Sequence, residues 1–356
     1  MEFDRIHFYV ENATESRDWF IEKLGFKGIA SQTSLDTHNE ILNRGQVYFV
    51  LSSPITLASP VADFLSRHPP GVADMAFRVQ NIHSAVAKAA ANGAEILQPP
   101  TQNSQGLKWA KISGWGDLTH TLIEKIDDAK ILNPILNPTN QLPTDIFGID
   151  HVVLNVAEDN LESALEWYNQ ILGFQSQQNF DIQTDKSALR SGVMIHADGD
   201  VKFPINEPAS ANSQIQEFLD ANNGAGIQHI ALRSGNILGI VGELRSRGLP
   251  FLQVPSSYYT NLQQKALSYL SETDWQAVQD YQILLDWQKM MSEAMLLQIF
   301  TKPIFPQPTL FFEFIERRFV WVDGKLMQAQ GFGEGNFQAL FEAIEREQMK
   351  RGSLIE

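Results

Sequence analysis

The chain has 356 residues, 43% of them hydrophobic and 19% charged, a balance that suits about two globular domains and excludes a disordered polymer. A formal net charge of −15 argues against nucleic acid or an anionic membrane as a partner, and the absence of cysteine excludes disulfide and thiolate chemistry. There is no apolar run of about 18 residues, and Met1-Glu2-Phe3-Asp4-Arg5 lacks a basic n-region, so neither a membrane span nor a signal peptide is predicted. The expected location is the cytoplasm.

In chain order, Glu15-Ser16-Arg17-Asp18-Trp19-Phe20 leading to Leu24-Gly25-Phe26 reads as an amphipathic helix stopped by glycine, then a strand. Gly71-Val72-Ala73-Asp74-Met75-Ala76-Phe77-Arg78 reads as a strand, and Asn81-Ile82 opens a helix ending near Asn92-Gly93. Leu122-Ile123-Glu124-Lys125 reads as a further strand. Residues 131–145, with Pro134, Pro138 and Pro143, have linker composition. The same signals then recur. Glu162-Ser163-Ala164-Leu165-Glu166-Trp167-Tyr168 leads to Leu172-Gly173-Phe174, and Gly226-Ile227-Gln228-His229-Ile230-Ala231-Leu232-Arg233 is followed by Asn236-Ile237 and a helix ending near Arg247-Gly248. Phe314-Ile315-Glu316-Arg317 repeats the last strand. A polar helical segment is predicted at 259–293, and a final helix at about 336–350 follows Gly331-Phe332-Gly333-Glu334-Gly335. Its stripe Phe337, Leu340, Phe341 and Ile344 would dock, with Glu342, Glu345 and Glu347 in water.

The predicted fold class is α+β: strand–helix–three-strand (βαβββ) modules repeated in tandem. They form two open, barrel-like halves, 1–130 and 146–356, the second carrying a C-terminal lid helix.

Three ionisable residues stand inside apolar strand patterns: His151 in Ile149-Asp150-His151-Val152-Val153, His229 in Gln228-His229-Ile230-Ala231-Leu232, and Glu313 in Phe311-Phe312-Glu313-Phe314-Ile315. Taken singly, a histidine on an apolar strand is more often a satisfied core residue than a ligand. A buried carboxylate, however, needs a cation, and two imidazoles with one carboxylate are the donor set of the non-haem Fe(II) facial triad. Superposing the repeats puts Arg5, Asp74 and Thr121 where the second half has His151, His229 and Glu313, so the predicted site belongs to the second half alone. The remaining histidines (His7, His38, His68, His83, His120 and His196) show no ligand grouping.

Residues 146–350 resemble the 4-hydroxyphenylpyruvate dioxygenases of the vicinal oxygen chelate superfamily. The resemblance rests on Asp150-His151-Val152-Val153, Leu189-Arg190-Ser191, Pro204-Ile205-Asn206-Glu207-Pro208, Ser213-Gln214-Ile215-Gln216-Glu217, Gly224-Ala225-Gly226-Ile227-Gln228-His229, Val254-Pro255-Ser256-Ser257-Tyr258-Tyr259, Leu297-Gln298-Ile299-Phe300-Thr301-Lys302-Pro303 and Gly331-Phe332-Gly333-Glu334-Gly335-Asn336-Phe337. Residues 1–125 share mainly the module pattern, and 318–330 match nothing usable. The resemblance implies one Fe(II) per chain on His151, His229 and Glu313, with 4-hydroxyphenylpyruvate and O2 converted to homogentisate and CO2 in tyrosine catabolism. It implies a homo-oligomer, dimer or tetramer. It also implies substrate-binding roles for Ser191, Asn206, Gln214, Gln228 and Gln298, aromatic walls from Phe300, Phe332 and Phe337, and an Asn336 that fixes the last helix.

Gln228 and His229 are neighbours in a strand and point to opposite faces under ideal pleating, so a shared site needs a twist or bulge there. Three rivals stay open: a hydroxymandelate synthase acting on the same substrate, an extradiol ring-cleaving dioxygenase, and a metal-free binding protein of the superfamily.

Overall fold

A computed structural model of the chain describes residues 1–104, 106–124, 146–197, 201–260, 262–288, 291–322 and 325–354. The predicted linker 131–145 lies outside the described residues. In the first half β1 (Glu2–Tyr9), α1 (Ala13–Leu24), β2 (Lys27–Thr33), β3 (Thr37–Arg44) and β4 (Val47–Pro54) make one module. After α2 (Pro60–Arg67), a second comprises β5 (Gly71–Val79), α3 (Ile82–Ala91), β6 (Ile96–Gln102), β7 (Lys108–Ser113) and β8 (Thr119–Glu124). The second half repeats this order with β9 (Ile146–Asn155), α4 (Leu161–Leu172), β10 (Phe174–Gln183), β11 (Ala188–His196) and β12 (Lys202–Pro208), then α5 (Gln214–Asn222), β13 (Gly226–Ser234) and α6 (Ile237–Ser246). Three short helices, α7 (Ser257–Thr260), α8 (Gln263–Ala266) and α9 (Glu272–Tyr281), precede β14 (Leu284–Gln288), β15 (Met291–Phe300) and β16 (Phe311–Arg317).

Each half is an eight-stranded sheet of the same order, β2-β3-β4-β1-β5-β8-β7-β6 and β10-β11-β12-β9-β13-β16-β15-β14. The central pairs β1–β5 and β9–β13 are antiparallel, and their flanking neighbours β4, β8, β12 and β16 run parallel to them. Local chemistry accounts for the repetition. Asn81 and Asn236 cap α3 and α6 by accepting from the Ser84 and Gly239 amides. Glu124 and Glu316 accept from the Ile82 and Ile237 amides at 3.0 and 2.8 Å, which ties each helix start to the adjoining strand. Gly25 and Gly173 end α1 and α4 in the left-handed region.

Strand alternation sends Ile6 and Phe8, and likewise Val152 and Leu154, into one apolar core that the two halves share. Phe312 lies 5.8 Å from Phe49 and 6.1 Å from Phe20, centroid to centroid, across the seam. The opposite face of the second sheet carries His151, Val153 and Asn155. Register sets the two halves in correspondence. Ala76 faces Arg5 on one side and Thr121 on the other, as Ala231 faces His151 and Glu313.

Three expectations need correction or completion. The helical segment stops at Tyr281 rather than near 293, because Gln282 turns left-handed (φ 60°) and Ile283, Leu284 and Leu285 bury themselves as the chain enters β14. Within 318–330, two strands, β17 (Phe319–Val322) and β18 (Lys325–Gln328), pair antiparallel. The last helix, α10 (Phe337–Arg351), does not hold its acidic face in water: Glu345 and Glu347 are 4% and 8% exposed. Glu345 accepts from Ser187 and Thr184 in the β10–β11 turn, and Glu347 pairs with Lys302 at 2.8 Å. Here hydroxyl and ammonium partners on the protein, not solvent alone, satisfy the charges.

Candidate metal centre and substrate pocket

β9, β13 and β16 are successive neighbours in the second sheet, and each places one ionisable side chain in the lining of the same cavity. His151, His229 and Glu313 are 3%, 7% and 1% exposed, and each offers a ligand atom within 4.8 Å of the others. Glu313 Oε2 lies 3.1 Å from His151 Nε2 and 3.6 Å from His229 Nε2. The Nδ1 atoms are engaged elsewhere: His151 Nδ1 with Asp150 Oδ1 at 2.9 Å, and His229 Nδ1 with Gln228 Oε1 at 3.2 Å. Both Nε2 atoms therefore face Glu313, which aims three donors at one point. That donor set and its burial fit a divalent cation, and His151 has the second carboxylate that usually orients a ligating imidazole.

The electrostatics are asymmetric. Burial alone would lower the His151 pKa, but Glu313 and Asp150 outweigh it and raise it. His229 is driven well below the usual histidine value by burial and by the neighbouring His151. Burial opposes ionisation of Asp150, yet the Arg317 guanidinium holds its carboxyl well below the ordinary range. Arg317 grips both Asp150 oxygens, at 2.7 and 2.8 Å, and Arg233 adds a contact at 3.2 Å.

Every site residue singled out in the sequence lines one cavity of about 700 Å³, measured with its open mouth: His151, His229, Glu313, Ser191, Asn206, Gln214, Gln228, Gln298, Phe300, Phe332, Asn336 and Phe337. The register of β13 against β9 slips between Ile227 and His229, and that irregularity lets Gln228 and His229 share the cavity. The amides form a chain. Gln298 Nε2 donates to Glu313 Oε1 at 2.9 Å, Asn336 Nδ2 donates to Gln298 Oε1 at 2.9 Å, and the Tyr258 hydroxyl donates to Asn336 Oδ1 at 2.7 Å. The buried Gln214 Oε1 has no protein partner, which leaves an acceptor for a ligand's donor. Phe180, Ile182, Leu189 and Pro204 complete an apolar wall.

Sequence reasoning did not single out Arg317, Arg233 or Tyr258 as parts of this site. For Arg317 a signal existed, since it stands as a charge at the end of the same apolar run that drew attention to Glu313.

Residues 1–152 match the family model described as hydroxyphenylpyruvate dioxygenase, N-terminal, and residues 148–274 match the glyoxalase/bleomycin resistance protein/dioxygenase superfamily. The chain is 38% identical to 4-hydroxyphenylpyruvate dioxygenase of Yarrowia lipolytica, over 99% of this chain and 93% of that one. It belongs to the 4-hydroxyphenylpyruvate dioxygenase family. As a family member it is a dioxygenase with the vicinal oxygen chelate fold. The Dictyostelium discoideum 4-hydroxyphenylpyruvate dioxygenase is 36% identical over 99% of both chains. A triple mutant of 4-hydroxymandelate synthase from Streptomyces coelicolor superposes with a TM-score of 0.83 at 29% identity, covering 98% of each chain. Among the described residues no helix is long and apolar enough to cross a membrane.

Proposed function

We propose that this dioxygenase converts 4-hydroxyphenylpyruvate and O2 to homogentisate and CO2, with one Fe(II) held by His151, His229 and Glu313. The observation that carries the reading is the convergence of these three buried side chains at the inner end of a cavity walled by amides and phenylalanines. Bound iron would supply the redox chemistry that couples O2 reduction to loss of the substrate's carboxylate. The products balance: one oxygen atom enters the new carboxylate and the other the new ring hydroxyl.

The protein's residues do the rest. Glu313 and two neutral imidazoles leave the ion one net positive charge, suited to an anionic 2-oxo acid. Gln298 holds the Glu313 oxygen that faces away from the imidazoles, and Asp150 fixes the His151 ring. Ser191, Asn206 and Gln214 are suited to the substrate's ring hydroxyl, because amides left unpaired would reject an analogue that lacks it. Phe332 and Phe337 flank the ring, and α10 excludes water from the reacting centre.

Hydroxymandelate synthesis is the second reading, favoured by the likeness to the Streptomyces coelicolor enzyme. Pro204, Asn206 and Phe337 in the cavity wall shape it around the ring and favour ring hydroxylation. Product identification after incubation with Fe(II), O2 and 4-hydroxyphenylpyruvate decides between them. Homogentisate is expected; 4-hydroxymandelate as the main product would overturn the proposal.

A further inference from the structure

The side chains that orient the metal ligands also hold the root of α10. Arg317, at the end of β16, divides its guanidinium between two tasks. Nε and Nη2 clamp Asp150, whose Oδ1 lies 2.9 Å from His151 Nδ1. Nη1 donates to the carbonyls of Ala329 and Gly331 at 3.2 and 2.8 Å. On the Glu313 side, Gln298 Nε2 also donates to the Phe332 carbonyl at 3.0 Å. Gly331, Phe332 and Asn336 form the segment from which α10 springs.

We propose that Arg317 is a positioning residue that couples cation binding at His151 and Glu313 to the docking of α10. The inference rests on the metal reading above. A cation on His151 Nε2 commits Nδ1–H to Asp150 and fixes the ring. Asp150 cannot then rotate, because the two-pronged Arg317 contact holds both its oxygens. The guanidinium is planar and rigid, so a fixed Asp150 keeps Nη1 aimed at Gly331. Reciprocity follows: whatever factor the cation contributes to helix docking, docking returns to cation affinity.

Hydrogen exchange of Phe337–Phe341 in the full chain tests this, without and with saturating Co(II), whose visible absorption reports binding independently of turnover. Exchange is expected to slow about tenfold on Co(II) loading, within the usual range of coupling between sites. Arg317→Lys keeps a charge beside Asp150, but one ammonium cannot fork both oxygens and also reach two carbonyls. It should bind Co(II) about 10-fold more weakly, the usual effect of removing an outer partner of a ligand, and lose most of the slowing. The double variant Asp150→Asn/Arg317→Gln removes both members of the buried pair, leaves only Arg233, whose side chain is 19% exposed, without its carboxylate, and should behave likewise if the lysine variant does not fold. Wild-type exchange that ignores bound Co(II), or full slowing in either folded variant, would overturn the coupling while sparing the metal site. A chain that binds no Co(II) would remove the metal site, and the coupling with it.

Discussion

Glu313 sits between two imidazoles and the Gln298 amide, with a single per cent of its surface exposed. Glu313→Gln preserves its shape but replaces the anion with a poorer ligand and leaves the ion more positive. Outer-shell changes at metal sites cost about 10–100-fold, and loss of a direct ligand should cost at least that. The variant is therefore expected to lose its metal on dialysis and to lose turnover. Full metal content with more than about a tenth of parental activity would contradict this assignment.

At the scale of the element, α10 is the piece whose behaviour follows least from its own pattern. Phe341 packs in a cluster with Ile215, Phe218 and Leu189, and it lines the cavity together with Phe337, Leu340 and Ile344. The glycine-rich segment that precedes it is constrained as well as permissive. Gly333 has φ 77°, and a Cβ there would collide with the Gln298 amide that holds Glu313. On the far side Glu345 accepts from two hydroxyls. Glu345→Ala strands the Ser187 hydroxyl and takes one bond from Thr184, and a loss of about 1–3 kcal/mol should lower the docking equilibrium constant roughly tenfold. The expected result is a weaker metal affinity, by up to the coupling factor between cation and helix, a raised KM and less product per O2 consumed. Wild-type coupling in this variant would show that Glu345 does not hold the helix closed.

At the scale of the whole molecule, four similar modules make one site. In the first half Asp74 accepts from Thr119 and Thr121 at 2.8 and 3.0 Å, with Lys111 at 3.6 Å, so hydroxyls and an ammonium take the place of a cation. Metal analysis should return one equivalent per chain, and two retained equivalents would refute the asymmetry. The halves also meet through His120, fully buried, whose Nε2 lies 3.1 Å from the Tyr168 hydroxyl. Burial lowers the His120 pKa from 6.5 to about 4, against a smaller opposing pull from Asp74. The unfolded chain therefore takes up this proton first as pH falls. The stability that depends on His120 is whole above pH 6.5 and drains away towards pH 4. By about pH 5 the loss should approach about 2 kcal/mol. Denaturant unfolding of His120→Gln should show an acid limb flatter by that amount, and a limb as steep as the parent's would contradict it.

Much of this architecture was legible in the sequence because its causes are local. Asn81, Asn236, Gly25 and Gly173 mark helix ends through their own backbone bonding, and period-two alternation marks strands, so the repeat of modules follows from short windows. His151, His229 and Glu313 drew notice for the same reason, as polar groups in apolar runs. What they face was not written there. The Asp150–Arg317 clamp, the slip in β13 that turns Gln228 inward and the burial of Glu345 all depend on neighbours distant in the chain. The segment Leu284–Gln288 likewise became strand because β15 lay ready to pair with it. A polar residue's sequence states what bonds it can make; only the tertiary fold decides which partner is within reach and whether water competes for it.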